Sequence, residues 1–333
     1  MKWNVRIGII LVALLCMTGC GRVKKDVVVE DTYKGTVKDE VADDIIGEDE
    51  EAEVPVEEEK VILPTPLSGL YKDMVVEKMD YVPLPEDKKV AYITFDDGPC
   101  KSTPQLLEVL RKLNVKATFF VSAQYGSDEE VVEWLKQIKA DGHEIGVHSY
   151  SHRYNEIYSS VKNYLKDFKK MDDLIVKATG EHARLFRFPG GSNTGYNASI
   201  REDIIKEMTS RGMVYYDWNA YNGDCDGFSK SEMIAKAVKE SSYRNKSIVL
   251  MHNIPKKDLV IESLPSIVKE LSEKGYVFEA LDGTVEPIQF VKVSEIVPVE
   301  EETAEEETTE EEATEAENAK ENEAEQNTAK ERV

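Results

Sequence analysis

The chain is short of positive charge, of cysteine and of long apolar runs. Its 333 residues carry 42 Lys+Arg against 65 Asp+Glu, a formal charge of −23. The deficit is local. Residues 39–59 hold twelve acids and no base, and residues 300–333 hold fifteen acids and three bases, so the rest of the chain sums to about +1. A body without a basic face excludes a nucleic-acid binder, which must neutralise phosphates. No apolar run reaches the ~20 residues that cross a bilayer. The 41% hydrophobic content nevertheless excludes a wholly disordered chain. Two of the four cysteines lie in the first twenty residues, leaving Cys100 and Cys225 for the body. No internal repeat is evident. With the acidic arms set aside, about 200–230 residues remain to fold, which suits one α/β domain.

The first twenty residues read as a targeting segment. Lys2 and Arg6 precede an apolar stretch, residues 7–17, that is too short to span a membrane. Met17-Thr18-Gly19-Cys20 resembles a bacterial lipobox, which implies cleavage before Cys20, lipidation of its sulfur and anchoring to the cell membrane. An ordinary signal peptide or an uncleaved anchor are the other readings. All three place the remainder outside the cytoplasm. Residues 21–60 are acidic and aromatic-poor, as expected of a disordered linker. Residues 61–86, with Pro64, Pro66, Pro83 and Pro85, form a lead-in. Residues 286–333 form an acidic, low-complexity tail, solvated because its Glu clusters lack Lys partners.

Between these arms, strands and helices alternate. Apolar, β-rich runs are expected at 90–95, 117–121, 144–148, 183–188, 213–218, 246–252 and 276–281. Helices are expected at 103–113, 129–140, 155–178, 197–211, from the capping box Ser229–Glu232, and at 262–274. Glycines 142, 180, 212 and 275 punctuate four helix ends just ahead of a strand. Seven strands in this rhythm predict a parallel α/β sheet, open or closed into a barrel.

The titratable side chains fall at strand ends. Asp96 and Asp97 follow the first strand, His148 ends the third, Arg187 the fourth, Asp217 and Trp218 the fifth, and His252 the sixth. In parallel α/β folds ligands and chemistry sit at the carboxyl ends of strands, so these groups should converge. His148-Ser-Tyr-Ser-His152 brings two imidazoles to one side of a turn. Either they share a metal with a carboxylate, the pattern of a catalytic Zn²⁺ site, or they are unrelated polar residues. Asp96-Asp97 on a Gly-Pro turn offers one ligand and one substrate-facing carboxylate, or else a plain Asx-turn.

Thr94-Phe-Asp-Asp-Gly-Pro99, His148-x-x-x-His152, Arg187-Phe-Pro-Gly-Gly191, Asp217-Trp218 and Leu250-Met-His252, in this order, resemble the motifs of the NodB-type polysaccharide deacetylases, carbohydrate esterase family 4. The resemblance covers residues 87–285 and implies a distorted (β/α)7 barrel. It implies one divalent ion, Zn²⁺ with Co²⁺ as the alternative, on Asp97, His148 and His152. Asp96 would be the general base, oriented by Arg187. His252 would be the general acid, with Asp217 fixing its tautomer and raising its pKa. Trp218 and Leu250 would wall the acetyl pocket, and the backbone N–H of Gly190 would face the oxyanion. Family members often carry an aromatic residue where Gly190 stands, so one wall of the cleft should be missing here.

The chemistry accounts for the residue types. A bound Zn²⁺ brings the pKa of water toward ~7 and polarises the carbonyl. A fixed oxyanion donor contributes ~3–4 kcal/mol. Base and acid need opposite protonation states at one pH, which an Arg beside one and an Asp beside the other provide. The implied substrate is an acetylated cell-wall polysaccharide, N-acetylglucosamine of peptidoglycan first. O-acetyl xylan, chitin oligomers, or a catalytically silent wall-binding protein are the alternatives. A phosphoesterase would want two metals and more carboxylates. Cys100 and Cys225 follow strands on one rim: either they pair across the mouth of the site, or they are two unpaired thiols, one or both buried. His143 and Trp134 are expected to be structural, His182 to be solvated, Phe119-Phe120 to be core, and one of Tyr215 and Tyr216 to face the core.

Overall fold

The computed structural model describes residues 63–293. The leader with Cys20, the acidic linker and the tail beyond 293 lie outside the described residues. Among the described residues no helix is long and apolar enough to cross a membrane.

The elements run β1 Lys89–Asp96, α1 Thr103–Leu113, β2 Thr118–Val121, α2 Asp128–Ala140, β3 Glu144–Val147, α3 Tyr154–Ile157, α4 Val161–Thr179, β4 Leu185–Phe186, α5 Arg201–Thr209, β5 Val214–Tyr215, β6 Ala220–Tyr221, α6 Lys230–Ser241, β7 Lys246–His252, α7 Asp258–Glu273 and β8 Tyr276–Phe278. The strands pair in parallel in the order β5-β4-β3-β2-β1-β7-β6. β8 pairs the first residues of β1, with Lys89 opposite Tyr276, and β2 pairs the last, with Asp96 opposite Phe120. The sheet is thus a curled, parallel half-barrel with helices outside, the expected fold.

Curling gives the sheet two covered faces. Val90, Tyr92, Phe120, Leu185, Val214, Tyr216, Ile248 and Leu281 pack together as one cluster. The alternate residues, such as Ile93, Phe119, Phe186 and Tyr215, pack with the helices. Period-two alternation therefore separates two cores rather than core from solvent. This is why Tyr215 and Tyr216 are both buried, where one was expected to be. On α1, Leu106, Leu107 and Leu110 are fully buried, each contributing about 1.5–3 kcal/mol relative to exposure.

Several helix boundaries differ from expectation. The long helix expected at 155–178 is two, α3 and α4, because the Ser160 side chain accepts from Asn163 N–H and starts a new helix. Residues 195–197 form a 3-10 turn ahead of α5. The capping box at Ser229 is present, and Ser127–Glu130 makes a second. Pro265 lies at the middle of α7.

The flanking segments pack on the barrel. In the lead-in, Met74 is fully buried, and the Arg211 guanidinium donates to the carbonyls of Leu70, Tyr71 and Met74. A Cβ on Gly212 (φ +80°) would come within 2.0 Å of Val76 O, so only glycine fits there. Residues 286–293, read from sequence as part of the tail, run beside β5: Asp217 N–H donates to Ile288 O and Phe290 N–H to Asp217 Oδ2. His182 is not simply solvated. Its Nδ1 lies 2.6 Å from Oδ2 of the buried Asp172.

Candidate active site

Each reactive group sits at or just beyond a strand's carboxyl end. Asp96 closes β1, His148 follows β3, Arg187 follows β4 and His252 closes β7. The register places Asp96 opposite His252 on neighbouring strands.

Arg187 is fully buried, and each of its three nitrogens donates a hydrogen bond. Nε donates to Tyr216 O at 2.8 Å, Nη1 to Thr94 Oγ1 and to Asp96 Oδ1, both at 2.7 Å, and Nη2 to Asp217 O at 3.2 Å. The guanidinium lies 4.1 Å from the centroid of the Phe120 ring. A buried charge is tolerated only with such satisfaction, and removing one partner of a pair like Arg187–Asp96 costs about 3–5 kcal/mol. The arrangement holds Asp96 in one orientation.

Asp97 and the two histidines form a tight cluster. Asp97 Oδ1 lies 3.5 Å from His148 Nε2 and 3.1 Å from His152 Nε2. Asp97 (φ +73°) and His152 (φ +56°) both hold left-handed backbone, which costs roughly 1–3 kcal/mol each. Burial pushes the Asp97 carboxyl up, but the adjoining His152 imidazole and the charges of His148 and His252 outweigh it and hold its pKa down at about 2. Burial lowers the pKa of His148, against the pull of Asp96 and Asp97. His148 Nδ1 is 2.8 Å from Arg187 O, so Nε2 carries the free lone pair. Asp97 Oδ1 is buried and has no hydrogen-bond partner. An orphaned carboxylate oxygen facing two imidazole nitrogens fits a divalent cation, and the three ligand atoms lie within 4.8 Å of one another.

The His148–His152 turn is clamped from behind by Asp167 of α4. Its Oδ1 accepts from Ser149 Oγ (2.6 Å) and Tyr150 N–H (2.7 Å), its Oδ2 from Ser151 N–H (3.0 Å), and Ser149 Oγ in turn accepts from His152 N–H (2.8 Å).

Residues 84–214 match the family model described as polysaccharide deacetylase. A peptidoglycan-N-acetylglucosamine deacetylase of Bacillus cereus is 33% identical over 201 residues, 59% of this chain and 70% of that protein. The chain belongs to the polysaccharide deacetylase family. The peptidoglycan-N-acetylmuramic acid deacetylase PdaA of Bacillus subtilis is 26% identical over 221 residues, 65% of this chain and 80% of that protein. Among solved structures, the catalytic domain of a peptidoglycan N-acetylglucosamine deacetylase from Eubacterium rectale superposes with a TM-score of 0.59 at 32% identity, covering 65% of this chain and 97% of that one.

In this deacetylase the carboxylate beside His252 is not that of Asp217. Asp224 Oδ1 is 2.9 Å from His252 Nδ1, and Asp224 Oδ2 accepts the His252 N–H at 2.7 Å. Burial opposes charge on His252. Hydrogen bonds with Asp224 and Cys225 and the charge of Asp224 outweigh it, and the imidazole is pushed up to about 11. Asp217 serves the neighbouring loop instead, accepting from Ser192 N–H (2.9 Å), Ser192 Oγ (2.6 Å) and Phe290 N–H (2.7 Å). The sequence signal for Asp224 was its place after β6, a two-residue strand too short to read as a strand. Asp167 had no such signal, since nothing in an α4 acid announces that its carboxylate reaches the turn.

Of the two readings of Cys100 and Cys225, the structure has the unpaired one and no disulfide joins them. Both are free, Cys100 buried beside Asn253 and Cys225 exposed with Sγ 3.5 Å from His252 Nδ1. Gly190 (φ +79°) has the Tyr154 ring against it, with Cε2 and Oη 3.2 Å from where a Cβ would be. The side chain absent at Gly190 is therefore replaced by an aromatic from α3, which also meets the His152 ring edge-on at 5.2 Å. Trp218 packs edge-on against Phe290 at 5.0 Å, and Leu250 is buried.

Proposed function

We propose that this chain is a metal-dependent hydrolase that removes N-acetyl groups from cell-wall polysaccharide, with N-acetylglucosamine of peptidoglycan as its substrate. The observation that carries the reading is the partnerless Asp97 oxygen, facing two imidazoles, beside an Asp96–Arg187 pair. Asp97, His148 and His152 would hold the cation, Zn²⁺ by donor type, with Co²⁺ as a substitute. When bound, the ion polarises the acetyl carbonyl and acidifies water.

Asp96 takes the proton of the attacking water, and Arg187 keeps its carboxylate aimed. The N–H of Gly190 donates to the oxyanion, a place where the backbone can come close because no Cβ intervenes. His252 gives its proton to the departing amine from Nε2, since Nδ1 is held by Asp224. Trp218 and Leu250 border the acetyl group. The leader reading places the enzyme outside the cytoplasm, anchored through Cys20, where this substrate lies.

Acetate release from peptidoglycan, chitooligosaccharide and acetylxylan tests the proposal, with chelation followed by Zn²⁺ or Co²⁺ add-back. Metal-restored release, greatest on peptidoglycan, is expected. Metal retention with no release from any polymer would favour a silent wall-binding protein.

A further inference from the structure

Among the described residues there is a second group with metal-ligand spacing: Asp224, Cys225 and His252. Cys225 Sγ and Asp224 Oδ1 approach the same imidazole nitrogen, at 3.5 and 2.9 Å from His252 Nδ1. Donors around a tetrahedral zinc, at ~2.0–2.3 Å from the ion, lie about 3.3–3.7 Å from one another. Small shifts would therefore let one ion replace the protons that now join these atoms. The loop is held in this shape without an ion. Cys225 N–H donates to Tyr221 Oη at 2.8 Å and Asp224 N–H to Asn222 Oδ1 at 3.1 Å. The Asp224 carboxylate is buried and the thiol exposed, so solvent has access from the sulfur side. A thiolate and a carboxylate supply two negative charges, and the nearby Lys257 ammonium touches the Asp224 carbonyl oxygen rather than the carboxylate. Sulfur in the donor set selects Zn²⁺ or Cd²⁺ over Mg²⁺ or Ca²⁺.

We propose that Asp224, Cys225 and His252 form a second, inhibitory site for a thiophilic divalent cation, distinct from the Asp97–His148–His152 group. Binding forms bonds from the ion to Sγ, Nδ1 and a carboxylate oxygen. The protons on Sγ and Nδ1 leave to solvent, and no electron is transferred. The inhibition, though not the site, rests on the role given above to His252: with a cation on Nδ1 the ring is no longer the Asp224-paired imidazolium that protonates the amine. Metal supply would then both enable and limit the enzyme.

The test uses the full chain loaded with one equivalent of Zn²⁺, then titrated with Cd²⁺ while the thiolate-to-cadmium charge-transfer absorption is followed, alongside acetate release under excess Zn²⁺. Cys225→Ser is the comparison, each variant scored against its own rate at one equivalent. Wild type should gain the absorption band with a second equivalent and lose at least tenfold in rate under excess Zn²⁺, and the variant should do neither. No band in wild type, a band of equal size in the variant, or equal inhibition of both would overturn the proposal. A band lost in the variant from a protein that releases no acetate at any metal level would keep the site and sink the deacetylase mechanism instead.

Discussion

Replacing Asp224 by Asn should move the alkaline limb of the pH–rate profile. In the native site His252 is raised from 6.5 to about 11, so its cation persists through neutral pH and is lost only as pH rises through the folded value. The stability from the pair follows the same sign: fully present below 6.5 and lost toward 11. Asn keeps the shape but removes the charge, while the burial that disfavours the cation stays. The imidazole should then titrate well below its native value, because only the Cys225 hydrogen bond and the Asp96 charge remain to oppose burial. With a pKa of 6.5, only about 3% would be protonated at pH 8, a roughly 30-fold loss from protonation alone, whereas about three-quarters would be protonated at pH 6. Misplacement of the proton adds to this, within the ~10²–10⁴-fold range of general acid catalysis. The assay is kcat/KM for acetate release from pH 5.5 to 10, with bound metal measured in parallel. At one equivalent of Zn²⁺ the metal content should be unchanged, because Asp224 lies outside the Asp97 group. An Asp224→Asn profile parallel to wild type at every pH would refute the assignment, and a shifted limb in Asp217→Asn instead would restore Asp217 to that role.

Asp96→Asn should retain metal and lose turnover by at least 10²-fold, while Asp97→Ala should lose both; full activity in Asp96→Asn would remove it as the base. Asp167→Asn should weaken metal affinity by about 10–100-fold without unfolding the protein, read by competition with a chromogenic chelator, because it loosens the turn between His148 and His152. Native alkylation followed by peptide mass mapping should label Cys225 and spare the buried Cys100 until unfolding; labelling of neither before reduction would reinstate the disulfide.

The rhythm of strands and helices, the parallel sheet, and the convergence of Asp96, Asp97, His148, Arg187 and His252 were legible because strand ends carry local signals: an apolar run stops and a titratable residue follows. The same logic misled at Asp217, which also follows a strand, because a two-residue strand leaves no run to read and so hid Asp224. Distance in three dimensions decided the rest. Asp167 reaches the metal-ligand turn from α4, Tyr154 fills the space beside Gly190, and Cys225 faces His252 rather than Cys100. These contacts join elements far apart in the chain, and their geometry depends on how helices and loops pack over the rim. Local sequence determines which groups arrive at that rim, while packing alone determines which of them touch.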